Sequence, residues 1–264
     1  MCGIAGYSLS SSSRLDRTLA AQALLAAIAE RGADAVGYAH RDPTQAHPTV
    51  VKQRTPASKL LEHVAVPDQA TQLLVHVRDY TKGHPAIAAN NHPVRHGPVI
   101  GVHNGIIVND DELLTAHPCS RAEPQMTVDS EAIFALVAHS HNDSRALEAL
   151  DGSMAAAWLD EREPEFVFAA RGVGRPLWLG EDDAGVFFAS TPHALEVLEH
   201  YCGLSLRKRE LREGSLVALR EGKVDRRVRF RARPYDEPDR LPAVRAPEER
   251  ESCLRRLATI AAAA

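Results

Sequence analysis

Apolar positions along the chain fall into short runs separated by glycine, proline and polar clusters, a texture that favours strands. Cys2 to Tyr7 is an apolar run suited to a buried strand, and Ser10 to Ser13 marks the turn after it. The period then changes: Asp16 to Glu30 reads as a helix with Leu19, Ala23, Ala26 and Ala27 on one side. Short strand candidates follow at Val36 to Ala39, Thr49 to Val51, Leu73 to Val77 and Val99 to His103, the last ending in the turn signal Asn104-Gly105. A second helix is predicted over Asp129 to Ser140, with Ile133, Leu136 and Val137 spaced to bury one face. Met154 to Ser190 carries several apolar runs punctuated by glycine and proline, the pattern of a sheet meander, and Ser215 to Phe230 resembles a hairpin around Glu221-Gly222. Strands dominate the middle and helices sit in clusters without strict alternation, which predicts an α+β fold with helices covering stacked sheets.

From Pro234 the composition shifts. Pro234, Pro238 and Pro242 break regular structure, and Pro247 opens a last predicted helix in which Leu254, Leu257 and Ile260 recur at near-helical spacing. The expected division is therefore a domain over residues 2–233 and an appendage over 234–264, docked on the domain, docked on a partner, or frayed.

Composition narrows the classes. The 264 residues are 44% apolar and 25% charged, with a formal net charge of −4, so no basic excess points to nucleic acid. No run approaches the roughly 18 to 20 apolar residues of a membrane span, and the opening residues lack the layout of a secretory signal. Cys2, Cys119, Cys202 and Cys253 are scattered, which predicts free thiols and a cytoplasmic protein.

Candidate chemistry begins at the first residues. Removal of Met1 would make Cys2 the terminal residue, with an α-amine of pKa roughly 7.7 to 8.0 beside a thiol of about 8.5, so one residue would supply nucleophile and base. Packing in an apolar strand is the other use for a cysteine there. His103-Asn104-Gly105 offers an amide side chain and a flexible backbone N–H to a developing oxyanion, or simply closes a hairpin. Arg78 is suited to an α-carboxylate through two parallel hydrogen bonds, and Asp129 to an α-ammonium group or to a helix N-cap. His76, His84, His92, His96 and His103 crowd one region, but only His92 and His96 are spaced i,i+4, in a segment broken by Pro93 and Gly97, so no metal site is expected. Gly172 and Gly174 beside Arg171 and Arg175 lack the helix and Lys-Ser/Thr ending of a phosphate loop. The arginines at 226, 227, 229, 231 and 233 alternate as on the solvated face of an edge strand.

Taken in order, the motifs resemble a family. Met1-Cys2-Gly3-Ile4 is followed by Arg31-Gly32-Ala33-Asp34, His76-Val77-Arg78, Thr81 and Gly83, Asn90-Asn91-His92-Pro93, His103-Asn104-Gly105 and Asp129-Ser130-Glu131. The series is similar to the glutaminase domain of the class II glutamine amidotransferases, nearest that of glucosamine-6-phosphate synthase, and spans roughly residues 2 to 230. The resemblance implies the four-layer αββα sandwich of N-terminal nucleophile hydrolases and no cofactor. It implies Cys2 as nucleophile, Asn104 and Gly105 as oxyanion hole, and Arg78 and Asp129 as ligands of the glutamine carboxylate and amino group. Thr81 would lie in a loop closing over L-glutamine, His92 would support the site, and Arg31 and Asp34 would brace the Cys2 strand.

One departure stands out. Sugar-synthase relatives carry Trp-Ala-Thr-His after the arginine, whereas this chain reads Asp79-Tyr80-Thr81-Lys82, which alters the acceptor side. Neither a sugar-phosphate isomerase half nor a Ser-Gly-Gly-x-Asp-Ser adenylation loop is present in the 264 residues. The expected function is a stand-alone glutaminase subunit feeding ammonia to a separate synthase. The alternatives are a free-standing hydrolase of γ-glutamyl amides or peptides and a catalytically idle glutamine-binding module.

Overall fold

The architecture follows from how each strand divides its side chains between two covered faces. The computed structural model describes residues 1–116, 120–237 and 242–263. In chain order the elements are β1 (Gly3–Leu9), α1 (Arg17–Ile28), β2 (Ala35–Arg41), β3 (Thr49–Gln53), α2 (Ala57–Leu60), β4 (Gln72–Arg78), β5 (Val94–His96), β6 (Val99–Ile107), α3 (Asp110–Ala116), α4 (Glu131–His139), β7 (Gly152–Asp160), β8 (Phe166–Arg171), β9 (Trp178–Glu181), β10 (Gly185–Ala189), α5 (Pro192–Cys202), β11 (Arg207–Glu210), β12 (Ser215–Arg220), β13 (Lys223–Arg229) and α6 (Pro247–Ala263). One sheet has the order β11-β9-β10-β1-β4-β2-β3 and the other β13-β12-β8-β7-β6-β5. Every pairing between named strands is antiparallel.

Three apolar layers result. Ala5, Tyr7, Leu9, Leu73, Val75 and Val77 pack with α1, α5 and α6, whereas Ile4, Leu74, Val102, Ala155, Ala157 and Phe188 meet between the sheets. Val99, Ile107, Met154, Ala156 and Trp158 pack with α3 and α4. This is the expected α+β sandwich of two antiparallel sheets between helices. Because helices cover one face of each sheet and the opposite sheet covers the other, the central strands read as continuous apolar runs.

Local signals explain the element ends. Asp16 caps α1 by accepting from the Leu19 amide at 2.9 Å, and Thr191 caps α5, whose end is closed by Gly203 at φ +67°. Helix α1 is buried on nearly all sides, not on the one apolar stripe expected, because α5 and α6 both lie against its alanine-rich surface. Glu221 (φ 48°) and Gly222 (φ 74°) turn β12 into β13, a sheet edge that carries Arg226, Arg227 and Arg229, whereas Arg231 and Arg233 lie beyond the strand and donate to Glu148.

Two expectations need correction. Asn104-Gly105 does not end a strand: β6 runs through both residues, paired to Ala155 and Met154 of β7. Gly105 supports a bend there because it sits at φ +149°, with the Ser153 carbonyl against the position a Cβ would take. The Met154 to Ser190 region is likewise not one meander, since β7 and β8 belong to one sheet and β9 and β10 to the other.

The C-terminal segment lies on the domain. Cys253 and Leu257 are fully buried against α1, the Arg245 and Ala246 amides donate to the Glu30 carbonyl at 2.8 and 2.9 Å, and Arg250 pairs with Glu30. Cys2, Cys202 and Cys253 are free thiols; Cys119 and Pro238 lie outside the described residues.

Candidate active site

Strand parity assembles the candidate site. Side chains of a strand alternate between faces, so positions two apart share one. On β4, Leu74, His76 and Arg78 share the face toward the opposite sheet; on β6, Val102 and Asn104 do the same. Cys2 extends the series begun by Ile4 on β1. Gly3 pairs with Val77, which sets Cys2 beside the end of β4. A small pocket there is lined by Cys2, Arg78, Thr81, His92, Gly105 and Asp129, among others.

The Cys2 sulfur donates to the Asp79 carbonyl at 3.4 Å, and the Arg31 guanidinium donates to the Cys2 carbonyl at 2.8 Å. Burial pushes the Cys2 thiol up, opposed by the Asp79 hydrogen bond and by the positive charges of the amino terminus and Arg78. The amino terminus on Met1 is ion-paired to the Asp79 carboxylate, which also receives Arg245 Nε at 3.2 Å. With Met1 attached, the Cys2 nitrogen is an amide and has no basic lone pair.

Arg78 is buried, and its guanidinium donates to Asn91 Oδ1 at 2.6 Å, to the Lys82 carbonyl at 3.0 Å and to the Gly83 carbonyl. The loop after β4 thus wraps back over the cation, and the pocket has only about 10 Å³ of free space. Asp34 braces that loop instead of the Cys2 strand: its carboxylate accepts from the Tyr80 amide at 2.9 Å and its own amide donates to the Arg78 carbonyl. Lys82, at the altered position, reaches Asp110 at 2.7 Å and Asp111 at 2.9 Å. Arg121 joins the same aspartates and Glu131, tying the loop to α3 and α4.

Asp129 is not the side-chain cap of α4. Its carboxylate accepts from the Ile107 amide at 2.8 Å, while Ser130 occupies the cap position. Burial raises its pKa to about 6, the Ile107 hydrogen bond opposing and Asp110 adding to the rise. Asn104 is fully buried, and neither its amide nitrogen nor its oxygen has a hydrogen-bond partner among the described residues. Such a group costs about 1–3 kcal/mol, a penalty usually tolerated where a ligand completes the bonding.

His76, His92 and His103 are buried and held in their neutral form. His92 stacks on His76 with ring centroids 4.1 Å apart, and burial lowers His92 well below the ordinary histidine range. His76 and His103 are lowered to about 3, mainly by burial. His76 Nε2 meets the His103 carbonyl at 3.1 Å, and His103 Nδ1 meets Ser130 Oγ at 2.9 Å. No group of three metal-ligating side chains occurs among the described residues.

The sequence reading missed Asn91 as a partner of Arg78, although its motif was noted, and the ionic cluster of Asp110, Arg121 and Glu131, which no short motif announces. It also missed that the Asp79 carboxylate faces the amino terminus.

The two antiparallel sheets between helix layers form the αββα sandwich of the N-terminal nucleophile hydrolase fold. It superposes on the glutamine phosphoribosylpyrophosphate amidotransferase of B. subtilis with a TM-score of 0.66 at 18% identity, over 87% of this chain and 49% of that one. It also superposes on a glutamine aminotransferase class-II domain protein from Silicibacter pomeroyi with a TM-score of 0.57 at 19% identity, over 87% of this chain and all of that one. Residues 67–197 match the family model described as a glutamine amidotransferase domain. Among curated relatives, the glutamine–fructose-6-phosphate aminotransferase of Chlamydia trachomatis is 29% identical over 232 residues, 84% of this chain and 36% of that protein. One from Rhizobium meliloti is 34% identical over 130 residues, 46% of this chain and 21% of that protein. The chain resembles the class II glutamine amidotransferase domain. It spans little more than a third of the length of those relatives, or less.

Proposed function

We propose that the domain hydrolyses the side-chain amide of L-glutamine to glutamate and ammonia, with Cys2 as nucleophile once Met1 is removed. The Cys2 α-amine takes the thiol proton, and the thiolate attacks the amide carbon. Asn104 and the Gly105 N–H stabilise the tetrahedral oxyanion, and the α-ammonium returns its proton to the leaving ammonia. Water then hydrolyses the γ-glutamyl thioester. Arg78 holds the α-carboxylate after releasing the loop carbonyls, Asp129 holds the α-ammonium group, Thr81 belongs to the loop that closes over the substrate, and His92, stacked on His76, supports the site. Arg31 and Asp34 brace the nucleophile and the loop. Residues 2–233 form the glutaminase unit and 234–264 its appended segment.

The observation that carries this reading is the shared parity of Cys2, Arg78 and Asn104 in one inter-sheet layer, with both polar atoms of Asn104 buried and unpaired. The ammonia passes to an acceptor on a synthase; the named relatives are glutamine–fructose-6-phosphate aminotransferases, which supports transfer to an acceptor. Because the segment Asp79 to Lys82 departs from theirs on the acceptor side, the identity of their acceptor does not carry over to this chain. Ammonia release from glutamine by the wild-type protein and by Cys2→Ala tests the proposal: turnover should vanish in the variant, and retained turnover would remove Cys2 from the chemistry.

A further inference from the structure

A second cavity, of about 430 Å³, opens beside the nucleophile. Its lining includes Met1, Ser153, Arg171, Arg175, Glu213, Asp236 and Glu237. It borders both ends of the proposed reacting centre. Met1 precedes Cys2, and Ser153 lies under the oxyanion segment: its Oγ accepts from the Ile106 amide at 3.3 Å and its carbonyl faces Gly105. Removing Met1 deletes one wall and joins the cavity to Cys2.

The cavity has one buried cation. Arg175 is 6% exposed, and its terminal nitrogen donates to both carboxylate oxygens of Glu237 at 2.7 Å. Among the described residues its Nε is buried without a hydrogen-bond partner, and its other terminal nitrogen reaches only the Gly174 carbonyl at 3.2 Å. Arg171, by contrast, is already held by Glu210 and the Leu211 carbonyl. Arg175 is thus a carboxylate receptor, occupied here by a side chain of the protein's own C-terminal segment.

We propose that this cavity is the leaving-group subsite and takes an amine that carries a carboxylate, with Arg175 as anchor and Glu237 as the internal occupant it displaces. The substrate class then extends beyond glutamine to the γ-glutamyl amides of amino acids. The inference rests on the Cys2 mechanism and extends it. The thiolate bonds to the γ-carbonyl carbon, the C–N bond breaks, the amine leaves with the proton held by the Cys2 α-ammonium, and water cleaves the thioester to glutamate. Ammonia needs neither an anion anchor nor a cavity within the roughly 300–1,000 Å³ range of small-molecule sites.

Calorimetry on Met1-free Cys2→Ala protein, with γ-glutamylglycine and the neutral γ-glutamylmethylamide as probes, tests the subsite without turnover. The dipeptide should bind at least roughly tenfold tighter than the methylamide, the gain typical of a charged contact. Arg175→Gln in that background should abolish the difference, and Glu237→Gln should strengthen dipeptide binding several-fold while leaving the methylamide unchanged. Glu237→Gln decides the matter if Arg175→Gln does not fold. Equal affinity for the two probes, or a Glu237→Gln effect common to both, would overturn the subsite. Cysteine-dependent ammonia release from glutamine is measured alongside; its loss would instead sink the underlying mechanism.

Discussion

Cys2 and Asp79 face each other at the mouth of the site: the Cys2 sulfur donates to the Asp79 carbonyl at 3.4 Å, while the Asp79 carboxylate holds the amino terminus. This aspartate stands where the sugar-synthase relatives have tryptophan, so an anion has entered the surroundings of the terminal amine. Arg245 Nε lies 3.2 Å from the same carboxylate, so Asp79 ties the amino terminus to the C-terminal segment. Asp79→Asn removes that tie, and in processed protein kcat/KM for glutamine is expected to fall several-fold. An unchanged kcat/KM in steady-state kinetics would separate Asp79 from the site.

Asp129 gives a second pH signature. Its carboxyl is raised to about 6, so it is neutral below that value and anionic above it. Only the anion pairs with the substrate ammonium group. KM for glutamine should therefore rise as pH falls through about 6, and Asp129→Asn should show a high KM without that inflection. Steady-state kinetics from pH 5 to 8 provide the check.

Truncating Arg78 strands the substrate carboxylate and also frees Asn91 and the Lys82 and Gly83 carbonyls from their shared partner. Arg78→Ala should weaken glutamine binding by about 2–5 kcal/mol, the range for breaking a buried charged pair. Calorimetry on the folded variant measures this, and unchanged affinity would move the carboxylate site elsewhere.

At the oxyanion segment the two residues should fail differently. Asn104→Ala removes a donor and should lower kcat by about 100- to 1,000-fold with little change in stability. Gly105→Ala should impair folding as well, because φ is +149° and the Ser153 carbonyl fills the Cβ position. Thermal melts paired with kcat values distinguish the two effects.

The buried histidines predict acid sensitivity. His76 and His103 have folded-state pKa values near 3, below the unfolded value of roughly 6.5. The unfolded chain therefore binds protons first as pH falls. Their contribution to stability is full above about 6.5 and declines as pH drops toward 3. Urea melts across that interval should show falling stability, partly relieved in His76→Gln; a flat profile would argue that these rings are accessible to water.

Much of this was legible in the chain because the short apolar runs and the motif order constrain the same elements. Cys2, Arg78 and Asn104 were each identifiable, and their parity brings them to one layer. The path of β6 through Asn104-Gly105 was not legible, since an Asn-Gly pair signals a turn unless a partner strand lies opposite, and β7 begins 45 residues after β6 ends. The assignment of β7–β8 and β9–β10 to different sheets was hidden for the same reason: local periodicity reports a strand but not its neighbours. Helix α6 was foreseen, but its burial against α1 depends on a contact across more than two hundred residues. The Lys82, Arg121 and Glu131 cluster was illegible because ion pairs between distant loops leave no spacing pattern.

Intact mass of the protein, quenched in acid during glutamine turnover, tests the central claim most directly. The account predicts a chain lacking Met1 that carries one γ-glutamyl group, on a peptide beginning at Cys2. Normal ammonia release from a chain that keeps Met1 and never acquires the adduct would contradict it.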